Sequence, residues 1–285
     1  MRCLLGCLLV VAWAFSPRAR GDEAPRLRIS WAANTLAIEA PAAEPPLPGG
    51  KLTVNYLEAY CRPGSTDRDW RETVIKHTTR LIAASEDGHE LTLECRLTDG
   101  VTVRHKIVAA ADSVDFHLVA HNPTETPSQA HWAQPCIRVA DFTGRTQQTY
   151  LPRCFLLIDG QIAKLPTEPW ATKARYTPGQ VYCPAGVNRN DVNPRPLSSI
   201  VPSHGLVGCI SADGRWTMAT AWEPYQELFQ GVITCIHSDF RLGGLAPGET
   251  KRIRGKIYVT RDDVASLVKR YEHDFPEHVG PGGEQ

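Results

Sequence analysis

The chain has no block of like charge. Its 31 Lys and Arg balance 31 Asp and Glu over 285 residues. That leaves no basic face for nucleic acid or an anionic membrane surface. No run of about 20 apolar residues occurs, so nothing reads as a membrane span. The chain also lacks a G-x-S-x-G elbow, a P-loop, an H-E-x-x-H pair and a dinucleotide fingerprint. These absences argue against serine hydrolases, kinases, zincins and nucleotide-linked oxidoreductases. With no C-x-x-C, a zinc ribbon or thioredoxin-like motif is disfavoured. No repeat with a period of roughly 20–50 residues is present. No cofactor and no metal is assigned.

What is present begins with a leader. Arg2 precedes an apolar run from Leu4 to Phe15, and Ala19-Arg20-Gly21 offers small residues before Asp22. This predicts a signal peptide over residues 1–21 and an exported protein, periplasmic or extracellular. A single β-sandwich domain is expected over 22–279, with a fraying tail over 280–285. Without the leader, 28 basic residues face 31 acidic ones. Of 9 cysteines, Cys3 and Cys7 fall in the leader and seven remain. Export permits disulfides, and an odd count leaves at least one thiol unpaired within the chain. Cys95, Cys209 and Cys235 sit in apolar strand patterns and read as small core residues. Cys154 and Cys183 flank an irregular segment and are the expected disulfide pair.

The dominant pattern has period two. Leu91, Leu93, Cys95 and Leu97 alternate with polar residues, Asp99-Gly100 marks a hairpin turn, and Val101, Val103, His105 and Ile107 continue the alternation. A second hairpin runs over 206–222 around Ala212-Asp213-Gly214. Leu52–Tyr60, Thr73–Ala84, Gly231–His237 and Lys251–Thr260 read as further strands. One helix is predicted near the C-terminus, capped by Asp262, with Val264, Leu267, Val268 and Tyr271 at helical spacing. Near a dozen strands predict an all-β fold of two large antiparallel sheets with a short C-terminal helix.

Chemistry concentrates in few places. Val114–Val139 reads as strand, turn and returning strand, and pairing would bring His121 and His131 to one face. A neutral imidazole accepts a proton near pH 7 and donates one when protonated. Gln134 and Trp132 stand beside His131, and Pro135 marks an edge or a bulge. Glu223 lies between Trp222 and Tyr225, where a carboxyl can be tuned for acid or base work. His237 and Asp239 share a strand face, a spacing that suits an oriented imidazole or two ligands of a metal. The irregular stretch Lys164–Ser203 carries Trp170, Arg175, Tyr176, Tyr182, Asn188 and Arg189. Ordered loops of this length are usually functional.

Three stretches carry a resemblance: Phe116–Thr124 with its Asn-Pro-Thr turn, Trp222–Phe229, and His237-Ser238-Asp239 followed by Gly243–Thr250 and a strand ending Ile257-Tyr258. They resemble exported proteins of unknown function from planctomycete-type bacteria. The layout resembles the β-supersandwich of galactose-mutarotase-like proteins, a fold shared with polysaccharide lyases and glycoside hydrolases. The resemblance implies contact with carbohydrate. If the protein is an enzyme, acid/base chemistry at a sugar ring is expected, of epimerase, lyase or glycosidase type, with His131 as proton donor, Glu223 as base and His237 beside them. His121, Trp132, Gln134, Tyr176, Tyr182, Asn188, Arg189 and Trp222 would hold a poly- or oligosaccharide. The competing reading is a non-catalytic glycan-binding or assembly module of the cell envelope.

Overall fold

A computed structural model describes residues 27–40, 46–167 and 176–279. The expected leader, Trp170, Arg175 and the C-terminal tail lie outside the described residues. Among the described residues, seventeen strands form two sheets, and neighbouring strands pair antiparallel throughout. The eight-stranded sheet runs Arg28–Ala32, Thr35–Glu39, Lys51–Cys61, Trp132–Arg138, Cys235–Arg241, Tyr225–Gln230, Val181–Tyr182, with Val74–Ile75 attached to Lys51–Cys61. The nine-stranded sheet runs Gln161–Lys164, Cys154–Ile158, Val207–Ile210, Thr217–Glu223, Thr250–Thr260, Ser113–His121, Thr102–Ala109, Glu90–Leu97, His77–Ala84. The expected two-sheet, all-β architecture is the observed one.

Alternation decides which side chains enter the core. Leu91, Leu93, Cys95 and Leu97 point inward, as do Phe116, Leu118 and Ala120. Between the sheets, Trp222 packs against Phe116 and Phe240, with ring centroids 5.1 and 4.8 Å away. Its ring lies over Gly255, where a Cβ would stand 2.3 Å from the indole. His105 also points inward and is fully buried, its two ring nitrogens 2.8 and 3.2 Å from the hydroxyls of Tyr56 and Tyr60. Gly100 holds its turn at φ 94°.

Several local expectations change. The strand expected over Thr73–Ala84 is interrupted at its start by the helix Trp70–Thr73, which Asp69 caps by accepting from the Arg71 amide. The strand expected from Gly231 begins at Cys235, because residues 231–234 turn, with Thr234 at φ 57°. Asp263, not Asp262, caps the C-terminal helix Val264–Asp274, accepting from the Ser266 amide at 2.7 Å. That helix packs Leu267, Val268 and Tyr271 against Phe155, Leu157, Ala219, Ala221 and Tyr258 on the outer side of the nine-stranded sheet.

The largest correction concerns Val114–Val139. Its two strands do not pair. Ser113–His121 belongs to the nine-stranded sheet and Trp132–Arg138 to the eight-stranded one. The connection crosses between the layers and is pinned by Asn122. Its buried side-chain amide donates to the carbonyls of Thr126, Leu245 and Ala246, and its oxygen accepts from the amide and hydroxyl of Thr124.

Candidate functional site

The strand Cys235–Arg241 sends Ile236 and Phe240 into the core. Period two therefore turns Cys235, His237, Asp239 and Arg241 to the opposite, outer face. On one side, Glu227 pairs with Asp239 and Phe229 with His237. On the other, Cys235 pairs with Arg138, Ile236 with Ile137 and Phe240 with Ala133. That register sets Cys136 across from His237 and Gln134 across from Asp239. Pro135, between them, offers no N–H to the ladder. The neighbouring strand shifts register there, between Asn55 and Ala59. Glu58 falls in this irregularity.

An outer sheet face is ordinarily wet. Here residues from the long irregular stretch cover it. Val181, Cys183, Val187 and Val192 pack with Phe229 into a small apolar cluster. Ser65 donates to the Val192 carbonyl at 2.8 Å, and the Asn193 amide donates to Glu227 Oε2 at 2.9 Å. The stretch thus covers this sheet face.

Burial under this cover perturbs the ionisable row. Glu227, His237 and Asp239 are each at most 1 % exposed. Burial, reinforced by the charge of Asp239, drives the Glu227 carboxyl well above the ordinary carboxylate range. Burial likewise pushes Asp239 up to about 6. For His237 burial favours the neutral ring, but Cys235 and Asp239 outweigh it and hold the imidazole well above its usual value. Its Nε2 lies 3.2 Å from Cys235 Sγ, and its Nδ1 lies 3.4 Å from Asp239 Oδ1. Both Asp239 oxygens, Glu227 Oε1, Asn193 Oδ1 and Asp191 Oδ1 are buried without a hydrogen-bond partner. Leaving such groups unpaired is costly, and this cluster is the candidate site.

Above this row opens a cleft of about 170 Å³, lined by Glu58, Trp70, Gln134, Asn193, Arg195 and Phe229, with His237 and Cys235 reaching it. Arg195 also lies over the ring of Tyr176, 5.2 Å from its centroid. A second cleft, of about 330 Å³, includes His204, Tyr225, Arg241 and His278 in its wall. Behind it, His278 Nε2 meets Glu223 Oε2 at 2.7 Å and His278 Nδ1 meets the Tyr271 hydroxyl at 2.6 Å.

The residues singled out by sequence therefore divide. Gln134 and His237 stand together at the first cleft, and Tyr176 touches one of its lining residues. His131 and Glu223 do not form a pair. His131 precedes a strand of the eight-stranded sheet and holds Asp191 at 3.2 Å, whereas Glu223 ends a strand of the nine-stranded sheet and holds His278. His121 is on the nine-stranded sheet too, bonded to Thr250 at 3.0 Å. Trp222 and Tyr182 are core residues with no face for a sugar. Trp132 is fully buried beneath Trp70 and bonds Ser65 at 3.3 Å. Asn188 shapes its own turn by accepting from the Asn190 amide, and Arg189 is bound to the Ser198 carbonyl. The expected Cys154–Cys183 bridge is absent: all seven described cysteines are free and buried. Cys154 faces Cys209 within the nine-stranded sheet, while Cys183 lies in the cover of the other sheet.

Glu227, Glu58, Trp70 and Arg195 escaped the sequence reading. Glu227 carries the one usable signal, a carboxylate flanked by Tyr225, Leu228 and Phe229 in the strand Tyr225–Gln230.

No protein-family profile matches the chain, and no curated protein sequence matches it. Among solved structures it is similar to a putative aldose 1-epimerase from Escherichia coli, at 10% identity over 83% of this chain and 99% of that one, with a TM-score of 0.42. It is similar to a galactose mutarotase-like protein from Lactobacillus casei, at 8% identity over 82% of this chain and 100% of that one, with a TM-score of 0.40. It is also similar to an alpha-N-acetylgalactosaminidase from Bifidobacterium bifidum, at 11% identity over 88% of this chain but 37% of that one, with a TM-score of 0.48.

Proposed function

We propose that the protein is an exported carbohydrate-active protein that takes a sugar ring into the cleft above Gln134 and His237. One observation carries this reading: two aromatic side chains, Trp70 and Phe229, line the same small cleft as a carboxylate, a guanidinium and two amides. Aromatic faces pack on the apolar faces of a sugar, and amides and charged groups hydrogen-bond its hydroxyls. The volume is well below the ~300–1,000 Å³ typical of drug-sized ligands. It therefore fits one ring, or the end of a chain, better than an extended polymer. Glu58 is the carboxylate lining this cleft and is the group we assign to proton transfer at the ring. Glu227 and Asp239 lie beneath its floor and set its polarity.

A glycan array, followed by calorimetry on any hit, tests recognition. Trp70→Ala should weaken binding by roughly tenfold or more, since a stacked aromatic contributes on the order of 1 kcal/mol beyond its burial. Reducing-sugar and unsaturated-uronate assays on the same ligands test chemistry. Glu58→Gln should then retain binding and lose about 10²–10⁴-fold in turnover. Absence of binding to any glycan overturns the reading. Turnover untouched by Glu58→Gln removes Glu58 from its role. Export is tested separately, by mass spectrometry of the protein recovered outside the cytoplasm, which should begin at Asp22.

A further inference from the structure

Cys136, Cys235 and His237 present two sulfurs and an imidazole nitrogen that all lie within 4.8 Å of one another. The strand Cys235–Arg241 supplies two of them at i and i+2, and the neighbouring strand supplies Cys136 across from His237. All three are buried, yet they face away from the apolar core between the sheets. The sheet itself holds their backbones, so the constellation is rigid. We propose that these three side chains bind a zinc ion, Zn²⁺, with its fourth coordination position toward the cleft.

Three independent features support the assignment. The donor set is two thiols and an imidazole, which suits a soft or borderline cation over calcium or magnesium. Tetrahedral zinc with ordinary bond lengths sets its S and N ligands roughly 3.5–3.8 Å apart. The 3.2 Å between Cys235 Sγ and His237 Nε2 needs only a small outward adjustment to reach that value. Second, the ring is already oriented as a ligand. Nε2 faces the sulfurs, while Nδ1 lies at ion-pair distance, 3.4 Å, from Asp239 Oδ1. Metal-bound histidines regularly turn their other ring nitrogen toward a carboxylate, as His237 does here. Third, space is kept for the sulfur. A Cβ on Gly231 would stand 2.0 Å from Cys235 Sγ, so a side chain there would displace it. Because Cys235 and His237 both line the cleft, three protein ligands leave one side open, the pattern of zinc sites that act on a bound molecule.

The inference stands apart from the carbohydrate reading, since zinc binding is measured with no sugar present. The full mature chain, reduced and stripped with a chelator, is titrated with zinc against a chromophoric competitor, and its metal content is measured by elemental analysis. We expect one zinc per chain. Cobalt substitution should show thiolate-to-metal charge transfer and the absorption pattern of a tetrahedral ion. Cys136→Ser, Cys235→Ser and His237→Ala should each weaken zinc at least tenfold, with folding checked by circular dichroism. Cys95→Ser, on the other sheet, should leave one zinc bound and controls for general thiol loss. Less than about a tenth of an equivalent of zinc in the reduced chain overturns the proposal. So does equal binding by a triple variant, or a Cys136–Cys235 disulfide in the purified protein with no zinc uptake after reduction.

Discussion

Replacing His105 by glutamine removes one titratable group from the middle of the sandwich, and its effect should depend on pH in a calculable way. His105 is fully buried, with its ring nitrogens on the hydroxyls of Tyr56 and Tyr60. Burial, with a smaller push from His77, lowers its pKa from 6.5 to about 3 in the fold. Between these values the unfolded chain binds a proton that the folded chain refuses, so falling pH favours unfolding. The contribution is fully present above pH 6.5 and is lost progressively as pH falls toward 3. One pKa unit corresponds to about 1.4 kcal/mol. At pH 5 the loss is about 2 kcal/mol, against almost nothing at pH 7. For a domain of this size that lowers Tm by about 4–8 °C. Other groups titrate over the same range, so the informative quantity is the difference between parent and His105→Gln. Urea unfolding at pH 7, 6 and 5 should show the parent losing about 2 kcal/mol more than the variant, whatever the variant's own offset at pH 7. Parallel pH dependences for the two proteins would refute a neutral, desolvated His105.

Gly255→Ala should destabilise by about 1–3 kcal/mol, because its new methyl would meet the Trp222 ring at 2.3 Å; a thermal melt unchanged within a degree would contradict that packing. Asn122→Ala should lose about 2–4 kcal/mol by stranding the carbonyls of Leu245 and Ala246, with a much smaller loss for Thr124→Ala in the same denaturation series. Asp263→Ala should lose about 1 kcal/mol as a cap, while Asp262→Ala stays within about 0.5 kcal/mol; equal effects would reverse the cap assignment.

Much of the architecture was legible in the chain because the information is local. Alternation over Leu91–Leu97 and Phe116–Ala120 reports which side of a strand meets the core, whatever lies across from it. Asp99-Gly100 specifies a turn by its own backbone freedom. His237 and Asp239, two residues apart on a strand, must share a face, and the structure keeps them there. The departures are non-local. A short connection usually joins neighbouring strands and would bring His121 and His131 together, whereas the segment pinned by Asn122 crosses between layers. Trp222 and Tyr182 looked like sugar platforms because aromatic side chains serve cores and binding sites equally well.

By itself, then, the amino-acid sequence determined the strand pattern, the two-sheet sandwich, the C-terminal helix and the pairing of His237 with Asp239 on one face. Only the tertiary structure decided that this face is covered and which groups meet on it. Register across strands brings Glu227 beside Asp239 and Cys136 beside His237, over separations of many residues that no local pattern encodes. The cover of Val181, Val187 and Val192 then removes water from charges that an open sheet would leave solvated. Desolvation turns an ordinary polar strand face into a perturbed, unsatisfied cluster, and it depends on what packs above the strand, not on the strand's own residues.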